Sequence, residues 1–236
     1  MAGRITRKEL KSDKFALEVE QTVDFVTAHR RELTLYGSIA AAIAVVAAGI
    51  YFYMGRQHTI REAALGDAIQ MQEAPVGPPS SGPRISFPTE EAKRTAVTKS
   101  FSEIVSRYPG SSEGAIARYY LGSIAADQGK MPEAEKLFQE AANSGDKNYG
   151  PLARFSLAQV YFAEGRPADG EKVLRDLMQH PSVFVSKEQA IIALARGIAP
   201  KKPDEARKLL EPLRTGGGGV VNQTAITVIG ELMGQQ

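Results

Sequence analysis

The residues able to carry chemistry are few and far apart in this chain. Its three histidines, His29, His58 and His180, are separated by dozens of positions, so no cluster with metal-ligand spacing can be drawn from them. Cysteine is absent, which removes thiolate ligands, disulfides and thiol nucleophiles together. The glycine run "TGGGGVV" from Thr215 lacks the lysine and the strand-to-helix setting of a phosphate loop, and is expected to be a connector before the last helix. Acidic pairs such as Glu133 with Glu135, and Asp204 with Glu205, fall where helices are expected to start. There carboxylates complement the free amides and the positive end of the helix dipole, so capping accounts for them. No serine or threonine sits in a nucleophile elbow. The sequence therefore assigns no catalytic, cofactor-binding or metal residue, and a non-enzymatic protein is expected.

Composition narrows the partner classes. Lysine plus arginine number 29 against 27 aspartate plus glutamate, a balance without the concentrated positive charge that phosphate backbones require. Nucleic acid is not an expected partner. Alanine is abundant, aromatics make up 7% of the chain, and no stretch alternates apolar with polar residues as a half-buried strand would. The expected fold class is all-α.

One element stands out by hydropathy. "ELTLYGSIAAAIAVVAAGIYFYMGR" is free of charged residues over positions 33–55, a run of 23 residues. At about 1.5 Å per residue it reaches roughly 35 Å, enough for a hydrocarbon core of about 30 Å. Tyrosines and Phe52 near its ends suit the headgroup level. A cleaved signal peptide is the competing reading. The long segment before the run and the continuation through Ile50, Tyr51 and Phe52 favour an uncleaved single-pass anchor. Seven lysines and arginines precede the run, while only Arg56 and Arg61 follow closely, so the N-terminus is expected in the cytoplasm. In a bacterium this places the C-terminal portion in the periplasm, held at the inner membrane. Ala40, Ala44 and Ala48 form a small-residue stripe that would also allow a homodimer through the span.

The expected organisation follows. Residues 1–32 form a cytoplasmic tail in which Phe15, Val19, Val23 and Val26 trace an amphipathic helix, suited to the membrane surface, to a partner, or simply to leading into the span. Residues 33–55 are the transmembrane helix and 56–74 a helix continuing from it; residues 75–88, "PVGPPSSGPRISFP", are a linker. Residues 89–236 contain a repeat. "ARYYLGSIAADQGKMPEAEKLFQEA" from Ala117 aligns with "ARFSLAQVYFAEGRPADGEKVLRDL" from Ala153. Leu121 and Gly122 recur as Leu157 and Ala158, Gly129 as Gly165, Phe138 as Leu174, each 36 positions later. A third copy is placed by the same step at Ala193, Leu194, Ala206 and Leu210, and a fourth at Ile229 and Gly230. Periods in this range mark stacked helical hairpins.

The pattern resembles the tetratricopeptide repeat, in which a small residue of the first helix lets the second approach. Arg118 and Arg154 stand where that family often has tryptophan. "AVTKSFSEIVSRYPGSS" looks like a further second helix, with residues 64–74 as its first. The layout of tail, span and repeats also resembles the periplasmic tetratricopeptide-like ancillary subunits of the bacterial Sec translocon. "FSEIVSRYPGSSEGAIARYYLG" is similar, in addition, to repeats of outer-membrane assembly lipoproteins and of the Tol-Pal-associated coordinator of envelope constriction.

In a solenoid of this type the first helices line a concave face. Counting from Ala115, Pro151 and Lys187 with equal spacing puts Ile116, Tyr119, Leu152, Phe155, Phe162, Ile191 and Ile198 on that face. The resemblance implies a membrane-tethered, chaperone-like scaffold that binds proteins or peptides there, near the Sec translocon or a membrane-anchored periplasmic folding factor. An adaptor in envelope assembly or cell division is the alternative. The apolar face would equally be ordinary core if residues 220–233 or the linker folded back into it.

Overall fold

The structure is a computed structural model; it describes residues 30–77, 85–216 and 218–234, and the tail helix expected within residues 1–32 lies almost wholly outside them. The fold is all-α, as expected, and among the described residues the one non-helical pairing is an isolated bridge between Val76 and Phe87. The chain divides into two compact units, Met1–Thr59 and Ile60–Gln236.

The first helix, α1 (Arg30–Glu73), belongs to both units. Within the first, it is the one described helix long and apolar enough to cross a membrane. Its apolar side chains are uncovered on every side, with Ile43, Val46 and Phe52 all more than half exposed. The two hydroxyls near its start are turned inward: Thr34 donates to the Arg30 carbonyl at 2.8 Å and Ser38 to that of Leu35 at 2.8 Å. Back-bonded hydroxyls of this kind present little polarity to the surroundings.

The second unit is a series of helix pairs. The end of α1 is paired with α2 (Glu90–Arg107), and α3 (Ser112–Asp127) with α4 (Met131–Ala142). α5 (Tyr149–Ala163) is paired with α6 (Pro167–Gln179), α7 (Lys187–Ile198) with α8 (Pro203–Gly216), and α9 (Gly219–Gly234) follows. Leu65 and Ala68 of α1 are buried against Val97 and Phe101 of α2, so the first helix of the first pair lies across the linker from its partner. Thr89 caps α2 by accepting from the Ala92 amide at 3.1 Å, and Ser186 opens α7 with a full capping box on Gln189.

The turns inside the pairs follow from two glycines and two prolines. Gly129 and Gly165 have φ of +71° and +74°, a conformation that costs glycine nothing. The following amides, of Lys130 and Arg166, reach back to the carbonyls of Ala125 and Tyr161 at 2.9 and 2.8 Å, closing the helix ends. Pro132 and Pro167 then sit in the first turn of the next helix, where an amide hydrogen would have no partner.

Inside each pair a small residue faces a large one. Gly122 of α3 lies under the ring of Phe138 of α4; a Cβ built on it would stand 2.8 Å from that ring. Ala158 and Leu174 in the next pair are both fully buried. Arg118 and Arg154, in the tryptophan position, are tied to the second helix of their own pair. Arg118 meets Glu140 at 3.2 Å with its side chain 12% exposed, and Arg154 is hydrogen-bonded to Asp176, whose carboxyl that bond holds below its usual range. A second set of ion pairs joins neighbouring repeats: Arg166 to Glu135 at 3.0 Å and, 36 positions on, Lys202 to Glu171 at 3.1 Å.

Gly122→Ala is expected to destabilise the second unit by about 1–3 kcal/mol, because the added methyl has no room beside Phe138. Phe138→Ala should cost about 3–5 kcal/mol, and the double variant should cost less than the sum, as the methyl then enters the vacated space. Urea unfolding of the full chain in detergent, followed by circular dichroism, measures all three.

Candidate functional site

The first helices of successive pairs, α3, α5, α7 and α9, present one face along the inner side of the stack. Between α5, α7 and the start of α9 this face opens into a groove of about 890 Å³. Phe155, Phe162, Ile192, Ala193, Val220 and Val221 supply its apolar lining; Gln159, Gln189 and Thr224 supply hydrogen-bonding groups. A neighbouring recess of about 370 Å³, bordered by Tyr119, Ser123 and Ala126, shares Gln159 with it.

Of the seven residues expected on the concave face, Phe155 and Phe162 line the groove and Tyr119 lines the neighbouring recess. Ile116 is half-buried against the cluster around Phe101, and Leu152 is half-buried against the cluster of α7 and α8. Ile191 and Ile198 need correction. They are 9% and 2% exposed and belong to the core, while Ile192 and Arg196 face the groove in their place. The cause is one residue of loop. Six residues separate α4 from α5, but seven separate α6 from α7. Ala153, Leu157 and Ala158 therefore correspond to Ala190, Leu194 and Ala195, a step of 37 rather than 36. One residue turns a helix by about 100°, enough to exchange a core position for a groove position. The buried trio alanine, leucine, small residue was visible in the sequence and could have set the register.

α9 does not fill the groove. Ala225 and Val228 bury its outer side against the preceding cluster, and Val220, Val221 and Thr224 form one wall. The helix thus stands as the first helix of a further repeat, and the glycine run before it connects α8 to α9.

Phe162 is fixed by two glycines. A Cβ on Gly170 would lie 2.9 Å from its ring, and one on Gly197 would lie at 2.3 Å. The ring therefore sits as a floor in the space the two glycines leave between α6 and α7. At the rim, its own backbone amide, and then the Ser186 hydroxyl, hold the Glu188 carboxyl below its usual range. Arg196 is paired with Glu231 of α9 at 3.5 Å. The rim thus carries one carboxylate and one guanidinium, Glu188 and Arg196, around an apolar floor. Beyond it, Tyr119, Tyr149 and Phe184 stack edge to face at 5.5 and 5.4 Å. Burial, and then the neighbouring Tyr120, push the Tyr149 phenol well above its ordinary range, so this edge is neutral at any physiological pH.

Among the described residues no three histidines or carboxylates come together as metal ligands. What the arrangement can do is cover apolar side chains of another polypeptide and hydrogen-bond the backbone between them.

Paired helices with small-into-large contacts, stacked so that their first helices line an apolar groove, define a helical-repeat interaction module. The chain belongs to the tetratricopeptide repeat-like domain family, whose model matches residues 29–191. No curated protein matches the chain.

Gly197→Ala is expected to drive the Phe162 ring from its seat and lower the midpoint of thermal unfolding, at a cost of about 1–3 kcal/mol. Adding Phe162→Leu should recover part of that loss. Thermal melts of the parent, the single and the double variant check this.

Proposed function

We propose that the chain is a membrane-tethered peptide-binding scaffold with a chaperone-like role, and that its groove takes apolar side chains of partially folded or extended polypeptides. The single observation that carries this reading is the groove itself: an apolar floor fixed by Phe162, a second ring at Phe155, and polar side chains spaced between them. Each fully covered apolar side chain would contribute on the order of 1.5–3 kcal/mol. The Glu188 carboxylate, unlike Arg196 not tied to α9, is offered to a basic residue placed beside the apolar ones.

The tether rests on α1. Among the described residues of its unit its apolar surface has nothing to lie against, and lipid is the solvent that such a helix suits. The matched family region begins at residue 29 and so includes this helix together with repeats. With positive residues concentrated before the helix, the groove would work in the periplasm of a bacterium, at the inner membrane. The layout suggests a place beside the Sec translocon or a membrane-anchored folding factor, where unfolded chains emerge.

Fluorescence anisotropy with labelled apolar-basic peptides, on the full chain in lipid nanodiscs, tests the proposal. Binding should weaken about tenfold for Phe155→Ala and about tenfold for Ile192→Ala, the loss expected for one side chain worth about 1.4 kcal/mol. Ile116→Ala should leave affinity unchanged. Equal affinity in all variants, or no binding by the parent chain, overturns the reading.

A further inference from the structure

We infer that the face of α9 turned away from the groove is a docking surface for a second copy of this chain, through an antiparallel α9–α9 contact. The repeat itself identifies the face. Ala225, Ile229 and Gly230 repeat the trio of Ala153, Leu157 and Ala158, and before it that of Ala117, Leu121 and Gly122, so Ile226 corresponds to Arg154 and Arg118, and Gly230 to Ala158 and Gly122. In the earlier pairs these positions touch the second helix of their own pair: the arginines pair with Asp176 and Glu140, and Gly122 receives the Phe138 ring. In α9 the same positions are open. A Cβ on Gly230 would meet nothing within 4 Å, and Ile226 is 50% exposed. Gln223 and Thr227 complete the stripe, also exposed.

The occupant is chosen by shape and charge. One large side chain, Ile226, and one vacancy, Gly230, lie a single turn apart on the same face. An antiparallel copy related by a twofold axis near Val228 puts each isoleucine onto the other chain's glycine, as an isologous contact requires. The face is also free of charge. Glu231 is the one ionisable residue of α9, and it is already paired with Arg196. The second helices of the earlier pairs each carry several charges, so α9 matches its own kind better than a copy of α4, α6 or α8. A contact of one 16-residue helix with its like falls below the ~1,000 Å² of a permanent interface, so the pairing is expected to be reversible. This inference is independent of peptide binding in the groove.

The chain has no cysteine, so Thr227→Cys provides a unique label beside the twofold axis. Full-length Thr227→Cys in membrane vesicles, treated with a short bismaleimide, should give a covalent dimer, whereas Lys136→Cys on α4 should not. Adding Gly230→Leu fills the vacancy and should reduce that dimer about tenfold, the effect of losing about 1.4 kcal/mol. Since space is open at Gly230 and leucine is the better helix former, the variant should unfold no more easily than the parent. Adding Ile226→Ala to Gly230→Leu exchanges knob and hole between the two positions and should restore the dimer. The inference is overturned if Gly230→Leu leaves the dimer intact, if the exchange does not restore it, or if the thiol introduced by Thr227→Cys is captured only by other proteins.

Discussion

The close approach of the two helices in each pair is the constraint on which the second unit depends. Gly122 and Ala158 are small because Phe138 and Leu174 must sit against them, and every later feature inherits the angle so set. Helices held at that spacing turn one face of α3, α5 and α7 inward, and the groove is the space left between these faces. The chain has no cysteine, and its described residues hold no clustered metal ligands, to brace the stack. Stability must come from the buried apolar pairs, with Arg118 and Arg154 adding a charged tie within two of them.

The same packing explains where the sequence was legible. A period of 36 residues, with glycine and proline at the turns, was enough to foresee the helices and their order, because those signals act locally. The step that went astray was the register of α7, where one extra loop residue moved Ile191 and Ile198 into the core and Ile192 and Arg196 into the groove. Counting from a helix start carries such an error forward; matching the buried trio does not. The ion pairs between repeats were illegible for a different reason. Arg166 and Glu135, 31 positions apart, meet only because the turn of one repeat lies beside the second helix of the one before.

Phe162 shows how a groove residue is seated between helices rather than merely exposed. Two glycines from different helices leave the space that its ring occupies, which a methyl group on either would close. Burial would then cost a ligand little reorganisation, which is how a preformed apolar site gains affinity. α9 contributes to this by standing as a wall. Its position one repeat further along keeps the groove open at the end where Val220 and Val221 lie.

The register of α7 decides which side chains a partner meets, and single cysteines in this cysteine-free chain read it directly. At neutral pH Ile192→Cys, half-buried at the groove, should react with a soluble maleimide clearly faster than Ile191→Cys, which should be strongly protected in the folded chain. Rapid labelling at position 191 with protection at 192 would contradict the groove described above.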